Sequence, residues 1–246
     1  MLFSEGSEVV SYCKIAHSKV SRELLGKCSA LFSQHYGVWG LRGPRPGLPV
    51  TMSASALRRA LLAEDGTFLV IAMDEDTNTL AGHAFARRFP VSALEGAELP
   101  KSGNRVPLEG FALWITQLVV NKNYRRRGVA AHLISTALDG KDICAGLVTS
   151  HPYAVRALEN ACRKACNVDF TFRWGQTILG ICGVEYLREL VVTNENCAVN
   201  TNFYVDHTEV NQIIERMGAE GRWFLGSLED GEEFVAVVDL RSKLYS

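Results

Sequence analysis

The sequence predicts a single α/β domain over residues 1–246 in which helices flank a central, mixed, twisted sheet. Two observations support this class. Apolar runs of strand length, such as 67–73 and 114–120, alternate with segments whose apolar residues recur at helical spacing, such as 17–36. The hydrophobic fraction, 47% of 246 residues, is enough for one large core. We expect the core of the domain over about residues 8–166 and an elaboration over about 167–246.

Composition narrows the class of partner and compartment. The net charge of -1 argues against a nucleic-acid partner held by general electrostatics. No apolar run is long enough to span a membrane, and the first residues do not read as a secretory signal, so we expect no membrane partner. The seven cysteines are scattered without a Cys-x-x-Cys pair. This predicts reduced thiols, no metal site and a cytoplasmic location, with the nucleus as the alternative.

The expected elements follow one another in a regular order. The chain has turn signals between its apolar segments, and Ser53 can cap a helix that runs through Leu62. The segment between residues 89 and 111 is irregular, and 167–196 carries no clear pattern. Helices are expected over 17–36, 53–62, 129–138, 150–165 and 206–217, and strands over 8–15, 67–73, 79–89, 114–120, 143–149, 199–205 and 232–240.

A basic turn separates the central strand from the helix that begins at Val129. The turn reads Arg125-Arg126-Arg127-Gly128. The first N–H groups of a helix have no intrahelical partner and lie at the positive end of its dipole. A glycine lets an anion approach them, and arginine adds forked donors. The stretch therefore predicts a phosphate site.

The same stretch resembles the pyrophosphate-binding motif of the GNAT acetyltransferases, Arg/Gln-x-x-Gly-x-Gly/Ala, at Arg125, Gly128 and Ala130. Within this family, the sequence most resembles the fungal-type members. The resemblance implies the GNAT acyl-CoA N-acyltransferase fold, with a C-terminal strand-helix-strand elaboration, and acetyl-CoA as cosubstrate without a metal. The residues that it places on CoA are Leu118, Val119, Val120, Arg125, Arg126, Arg127, Gly128, Val129 and Ala130.

The helix after residue 150 resembles the second GNAT signature, Asn-x-x-Ala-x-x-Leu-Tyr-Glu-Lys, and implies that Ser150, Tyr153 and Arg156 contact CoA. The signature tyrosine is replaced by Leu158, a position where Leu158→Tyr is expected to be tolerated. The acid often found on the central strand is replaced by Thr116.

Two residues are left as catalytic candidates. Tyr153 is the nearest phenol and a candidate acid for the leaving thiolate. His207 belongs to the one Asp-His pair, for which capping of the following helix is the alternative role.

The resemblance implies acetyl transfer to a primary amine in a ternary complex. Small-molecule amines are the first hypothesis, a protein lysine or N-terminal amine the second, and a CoA-binding homologue without turnover the third. A homodimer is left open. Helix-end packing or solvation is the alternative role of the acceptor residues. The expected acceptor residues are His35, Tyr36, Trp39, Glu109 and Thr116, with Glu95 and Glu98 near them.

Overall fold

Seven strands form one mixed sheet in the computed structural model, which describes residues 9–91, 110–192 and 197–241. The spatial order is β1-β2-β3-β4-β5-β7-β6, and every neighbouring pair is antiparallel except β4–β5, which is parallel. The strands are β1 (Val10–Ala16), β2 (Thr67–Asp74), β3 (Thr79–Pro90), β4 (Phe111–Val120), β5 (Asp142–Thr149), β6 (Ala198–Asn200) and β7 (Glu232–Asp239).

Helices cover both faces of this sheet, so the structure confirms the predicted α/β class. One face packs against α3, α4 and α6, and the other against α1, α2 and α5. We call the first the α3 face and the second the α1 face. The helices are α1 (Arg22–His35), α2 (Ala54–Leu61), α3 (Val129–Ala137), α4 (Pro152–Cys162), α5 (Val168–Ile181) and α6 (Thr208–Ala219).

The parallel pair β4–β5 is tightly closed at its base. The Trp114 side chain is 1% exposed and lies against Gly146 of β5, where any Cβ would come within 2.4 Å of the indole ring. Arg88 of β3 donates to both carboxylate oxygens of buried Asp142, at 2.7 and 2.8 Å, and to the carbonyl of Ala137 at 2.8 Å. These bonds hold the start of β5 and the end of α3 against β3.

Local sequence signals explain most helix starts. Ser53 accepts a hydrogen bond from the N–H of Ala56, as its predicted capping role requires. The first predicted helix is too long: residues His17–Lys19 form a 3-10 turn, and α1 begins only after Ser21, which accepts from Leu24 N. The helix predicted over 150–165 ends at Cys162, because Arg163 adopts a left-handed conformation with φ 51°.

The C-terminal part differs most from expectation. The unassigned segment contains α5, whose Trp174 and Ile178 pack on the α1 face of the sheet. The strand predicted over 199–205 is wrong beyond Asn200, and Val205 forms only an isolated bridge to Trp39. Asp206 and His207 therefore do not lie in a strand. The predicted strand-helix-strand order is confirmed as β6–α6–β7.

Within the described ranges, no helix combines the length and the apolar character that a bilayer crossing requires.

Leu158→Tyr is now expected to destabilise the protein, which corrects the tolerance expected from the sequence. Leu158 has no exposed surface and packs in the core of the α3 face. A larger ring with a hydroxyl overfills this site and buries a polar atom, so we expect a loss of about 1–3 kcal/mol in the free energy of unfolding by urea titration. The volume-conserving control Leu158→Met should lose less than about 1.5 kcal/mol. Equal stability of the tyrosine variant and the parent would contradict this packing.

Candidate active site

A gap opens between β4 and β5 beyond their closed base. The two strands pair only from Phe111 to Ile115, while β5 continues to Thr149 and pairs with β7. The cause lies in β4: Phe85 of β3 stands opposite Gln117 and Ala86 opposite Ile115, so Thr116 is the extra residue of a β-bulge. Because a bulge bends its strand, β4 leaves β5 at this point.

Backbone groups of β4 face the gap. Asn121 N donates to Ala81 O at 2.9 Å, so Asn121 is one of the residues whose backbone groups bond to β3. In an antiparallel ladder alternate residues point their N–H and C=O groups away from the partner. Leu118 and Val120 therefore turn theirs away from β3, toward the side that β5 no longer occupies. Of the residues predicted to contact CoA on this strand, Leu118 therefore turns its N–H toward the gap, whereas the backbone groups of Val119 pair with β3.

The start of α3 has the features of an anion site. Gly128 precedes the helix with φ 80° and offers no side chain to cap it. The first intrahelical bond runs from His132 N to Gly128 O, so the N–H groups of residues 129–131 have no intrahelical acceptor. Arg126 is also left-handed, with φ 64°. Such turns point successive N–H groups into one concavity, which suits a phosphate. The Val129 side chain is buried and anchors the helix.

Two side chains hold this loop in place. The Tyr124 hydroxyl donates to the carboxylate of buried Asp74 at 2.5 Å, which ties the loop to the core. The Arg125 guanidinium donates through Nε to Val120 O at 3.2 Å and through Nη2 to His35 O. Arg125 thus fixes the end of β4 to the end of α1. Arg127 lies over the Tyr124 ring, 5.6 Å from its centre.

The start of α4 lies beside the gap. Ser150 follows β5 directly and is half-buried. Tyr153 stands in the first turn of α4, and its hydroxyl accepts a hydrogen bond from Arg216 of α6 at 2.6 Å. Arg156 is paired with Glu159 at 2.5 Å, so its guanidinium is already engaged. The phenol and the guanidinium predicted to contact CoA therefore both have protein partners in this structure.

His151 is a neighbour that the sequence analysis did not single out. Its Nδ1 accepts from the N–H of Tyr153 at 3.3 Å. Burial, and secondarily the positive charge of Arg125, lower the pKa of its imidazole, while Glu209 of α6 raises it. His151, at the start of α4, therefore lies within electrostatic range of Arg125 in the basic loop and of Glu209 in α6.

Three of the predicted acceptor residues lie at the end of α1 and in the loop after it, while Thr116 lies at the bulge of β4. His35 Nδ1 accepts a hydrogen bond from Lys122 N at 3.3 Å, so His35 braces the start of the basic loop that follows β4. Tyr36 stacks on Phe32 with ring centres 4.4 Å apart. Trp39 packs edge-on against Phe203 at 5.0 Å. Glu109 lies outside the described residues, as do Glu95 and Glu98.

Four buried polar atoms have no hydrogen-bond partner among the residues that the structure describes. Thr116 Oγ1 stands at the bulge, and His207 Nε2 at the start of α6, where Asp206 rather than His207 accepts from Thr208 N. The others are Trp39 Nε1 and His83 Nδ1. Buried polar atoms are usually paired, so unpaired ones near a gap suggest places that a ligand or water satisfies.

His83 is fully buried on β3. Its Nε2 lies 3.0 Å from Oε1 of Gln117, the residue after the bulge. Burial lowers the pKa of this imidazole to about 4, although the bond to Gln117 acts in the opposite direction. His83 is therefore neutral at pH 7.

Glu233 is the residue that sequence analysis missed most clearly. It is 4% exposed and lies on β7 before Phe234, which pairs with Thr149 at the end of β5. Burial raises the pKa of its carboxyl to about 7, although the Thr201 hydroxyl and the Ser150 N–H favour the charged form. Its only sequence signal was that it is the second of two glutamates at the start of a largely apolar strand, a position where a solvated side chain is common.

A comparison with known protein families matches a part of the chain that includes the basic loop. Residues 38–147 match the acetyltransferase (GNAT) family. The match spans the hairpin β2–β3, the bulged strand β4, the basic loop and α3. It agrees with the predicted family, enzyme class and acyl donor. No curated protein matches the chain in sequence.

Several solved structures resemble the chain at low identity. NAA60 from Arabidopsis thaliana, in complex with acetyl-CoA, is 13% identical over 94% of this chain and 99% of that one, with a TM-score of 0.45. An aminoglycoside acetyltransferase from an uncultured soil metagenomic sample is 17% identical over 52% of this chain, with a TM-score of 0.31. The alignment spans 66% of that enzyme, just under two thirds of its length. A ribosomal-protein-alanine N-acetyltransferase from Brucella melitensis is 14% identical over 52% of this chain and 69% of its own, with a TM-score of 0.32.

No group of three or more His, Cys, Asp or Glu side chains within the described part of the chain is placed to hold a metal ion.

Gly128→Glu should weaken acetyl-CoA binding by at least about 100-fold, or about 2.7 kcal/mol, in isothermal titration calorimetry. The variant places a negative side chain at the helix start, and the left-handed backbone disfavours any Cβ there. Gly140→Glu is the matched control, because Gly140 lies beyond the other end of α3 with open space around it. Unchanged affinity of a folded Gly128→Glu variant would remove the phosphate site from this loop.

Glu233 should make the protein less stable as the pH rises. A pKa raised from 4.5 to about 7 means that the folded state binds the proton more tightly. The resulting stabilisation is present below pH 4.5 and is lost as the pH rises through 7. Relative to Glu233→Gln, the free energy of unfolding of the parent should fall by about 2–3 kcal/mol between pH 5 and pH 8 in urea titrations.

The comparison with Glu233→Gln is needed because His83 acts with the opposite sign. Its lowered pKa adds stability that is lost as the pH falls below 6.5. The difference between parent and variant cancels this contribution. Parallel pH curves for the two proteins would mean that Glu233 titrates normally.

Proposed function

We propose that this chain is an acetyl-CoA-dependent N-acetyltransferase that acts on the primary amine of a small molecule by direct transfer in a ternary complex. The observation that carries the proposal is the gap between β4 and β5 with the uncapped start of α3 behind it. A phosphate group held at α3 and an acyl-pantetheine arm passing through the gap would bring the thioester to the α1 face. The match of residues 38–147 to the GNAT family supports this reading.

The chemistry needs few protein groups. The Leu118 N–H, which faces the gap, can donate to the thioester carbonyl oxygen as negative charge develops on it. Positioning of the amine against the thioester supplies a further part of the rate. Tyr153 stays our candidate acid for the leaving thiolate, with its hydroxyl oriented by Arg216. His207 stays the second candidate, with an unpaired Nε2.

The loop after α1 supports a small acceptor rather than a peptide. Gly40 N donates to Tyr204 O at 2.9 Å, and Asp206 N donates to Val38 O at 3.0 Å. Together with the bridge between Trp39 and Val205, these bonds join the loop to the segment before α6. An extended peptide crossing the α1 face would meet this joined wall, whereas a compact amine can enter beside it.

Two alternatives follow from other observations. A protein or peptide acceptor is the second function, because NAA60 and the ribosomal-protein-alanine enzyme are among the similar structures. A CoA-binding protein without turnover is the third, because Leu158 and Thr116 replace the tyrosine and the acid of the family pattern. We also propose that the chain is a fungal-type member of this family and that it is located in the cytoplasm. All seven cysteines are free thiols, as a reducing compartment would require.

The melting temperature with and without acetyl-CoA tests the donor site. At 100 times its dissociation constant, acetyl-CoA should add about 2.7 kcal/mol, which corresponds to about 5–10 °C for a chain of this size. Adenosine diphosphate and the Gly128→Glu variant are the controls, and both should give a smaller shift. No shift by acetyl-CoA would overturn the proposed donor.

The class of acceptor is then tested by measuring the thiol released from acetyl-CoA in the presence of each amine of a panel. Spermidine, glucosamine and tryptamine represent small molecules, and two peptides represent a free N-terminus and an internal lysine. We expect turnover with a small amine above the rate without acceptor. Turnover with the peptides alone would favour the second function, and binding without any turnover the third.

A further inference from the structure

Glu233 is a buried carboxylate for which the described residues supply no cation. Its side chain is 4% exposed, and none of the ion pairs seen among described residues includes it. Its polar neighbours are the Thr201 hydroxyl and the Ser150 N–H, which are both uncharged. A buried charge is costly unless it is paired. A buried, unpaired carboxylate beside a cleft is therefore a candidate functional group.

Glu233 lies on the face where an acceptor would approach. Val235 and Val237 belong to the cluster that packs on the α1 face, and side chains alternate along a strand. Glu233 therefore points to the α1 face, whereas the start of α3 lies on the opposite face. It stands beside Ser150, the residue that follows β5, and β5 forms one side of the gap.

Two tyrosines complete the surroundings of this carboxyl. The negative charge of Glu233 contributes, after burial, to raising the pKa of both Tyr36 and Tyr186, so both phenols lie near it. Tyr36 ends α1 and is 37% exposed, and Tyr186 follows α5 and is 61% exposed. Within the described part of the chain, these are the titratable groups whose pKa the charge of Glu233 shifts, and neither is cationic.

We propose that Glu233 binds the primary ammonium of the acceptor and removes one proton from it before acyl transfer. The proposal rests on the proposed N-acetyltransferase function and names the group that activates its substrate. An ammonium between a carboxylate and two aromatic rings gains both an ion pair and cation–π contacts. The acceptor class is thus a compact primary amine that is charged in solution.

The proton and bond changes balance as follows. The carboxylate of Glu233 takes one proton from the ammonium and leaves a neutral amine. The amine nitrogen attacks the thioester carbonyl, so a C–N bond forms and the C–S bond breaks. The departing thiolate takes the second proton that the nitrogen loses. Glu233 then returns its proton to solvent, and the products are the amide, free CoA and one released proton.

Glu233→Gln tests the proposal in the full chain, with the fastest small amine of the panel as acceptor. We expect kcat/KM to fall by about 100-fold or more at pH 7, since loss of a general base costs this much. The rise of kcat/KM with pH near 7 should disappear, and the affinity for acetyl-CoA should stay within two-fold. Glu232→Gln is the matched control, because it removes the same charge from the preceding residue of β7, whose side chain points to the opposite face of the sheet.

A second measurement does not depend on turnover. In protein labelled with 13C at the glutamate carboxyl, Glu233 is assigned by its absence from the Glu233→Gln spectrum. With CoA bound, added spermidine should lower the midpoint of its titration, because a cation favours the carboxylate.

The outcomes separate the two proposals. Turnover by Glu233→Gln within three-fold of the parent, with the same pH profile, would overturn the role of Glu233 and leave the acetyltransferase function standing. Failure of acetyl-CoA to bind would overturn the acetyltransferase function and this inference with it. If no amine of the panel turns over, a titration of Glu233 that every amine leaves unchanged would overturn the ammonium site, and a lowered midpoint would support it.

Discussion

The candidate site depends on a parallel strand pair that is closed at one end and open at the other. At the base, the buried ion pair between Arg88 and Asp142 ties β5 to β3, and the fit of Trp114 over Gly146 holds β4 against β5. Beyond Ile115 the bulge at Thr116 separates them. The rigid base determines the direction of the opening, and the opening lets a group held on the α3 face reach a group on the α1 face.

Local patterns in the sequence were sufficient to predict the basic loop and the helix start that we propose as the donor half of the site. A helix start, a left-handed glycine and a basic turn are all properties of neighbouring residues, so the position of Arg125 and Gly128 just before α3 could be predicted without a structure. The hairpin and the first capped helix were predictable for the same reason. What the sequence did not reveal was that the Arg125 side chain binds backbone carbonyls of Val120 and His35. That role depends on the distant helix α1.

The proposed acceptor half could not be predicted from the sequence because it is assembled from distant segments. Glu233 becomes unusual only through its burial beside Ser150 and near Tyr36, and neither neighbour is close to it in sequence. The alternation over 199–205 was misleading, since an alternating pattern forms a strand only where a sheet edge is available, and β7 pairs with this segment only as far as Asn200. Thr116 looked like a replaced acid, whereas its structural role is to be the additional residue in β4.

That additional residue also determines the parity of the strand. Side chains alternate with a period of two, so one inserted residue exchanges the faces of every residue that follows it. With Thr116 present, Leu118 packs toward the core under α3, and Val119 packs on the α1 face. The division of β4 between the two halves of the site is therefore encoded in the number of residues as much as in their identity. Evolution could exchange many side chains along this strand, but a single deletion would reverse its two sides.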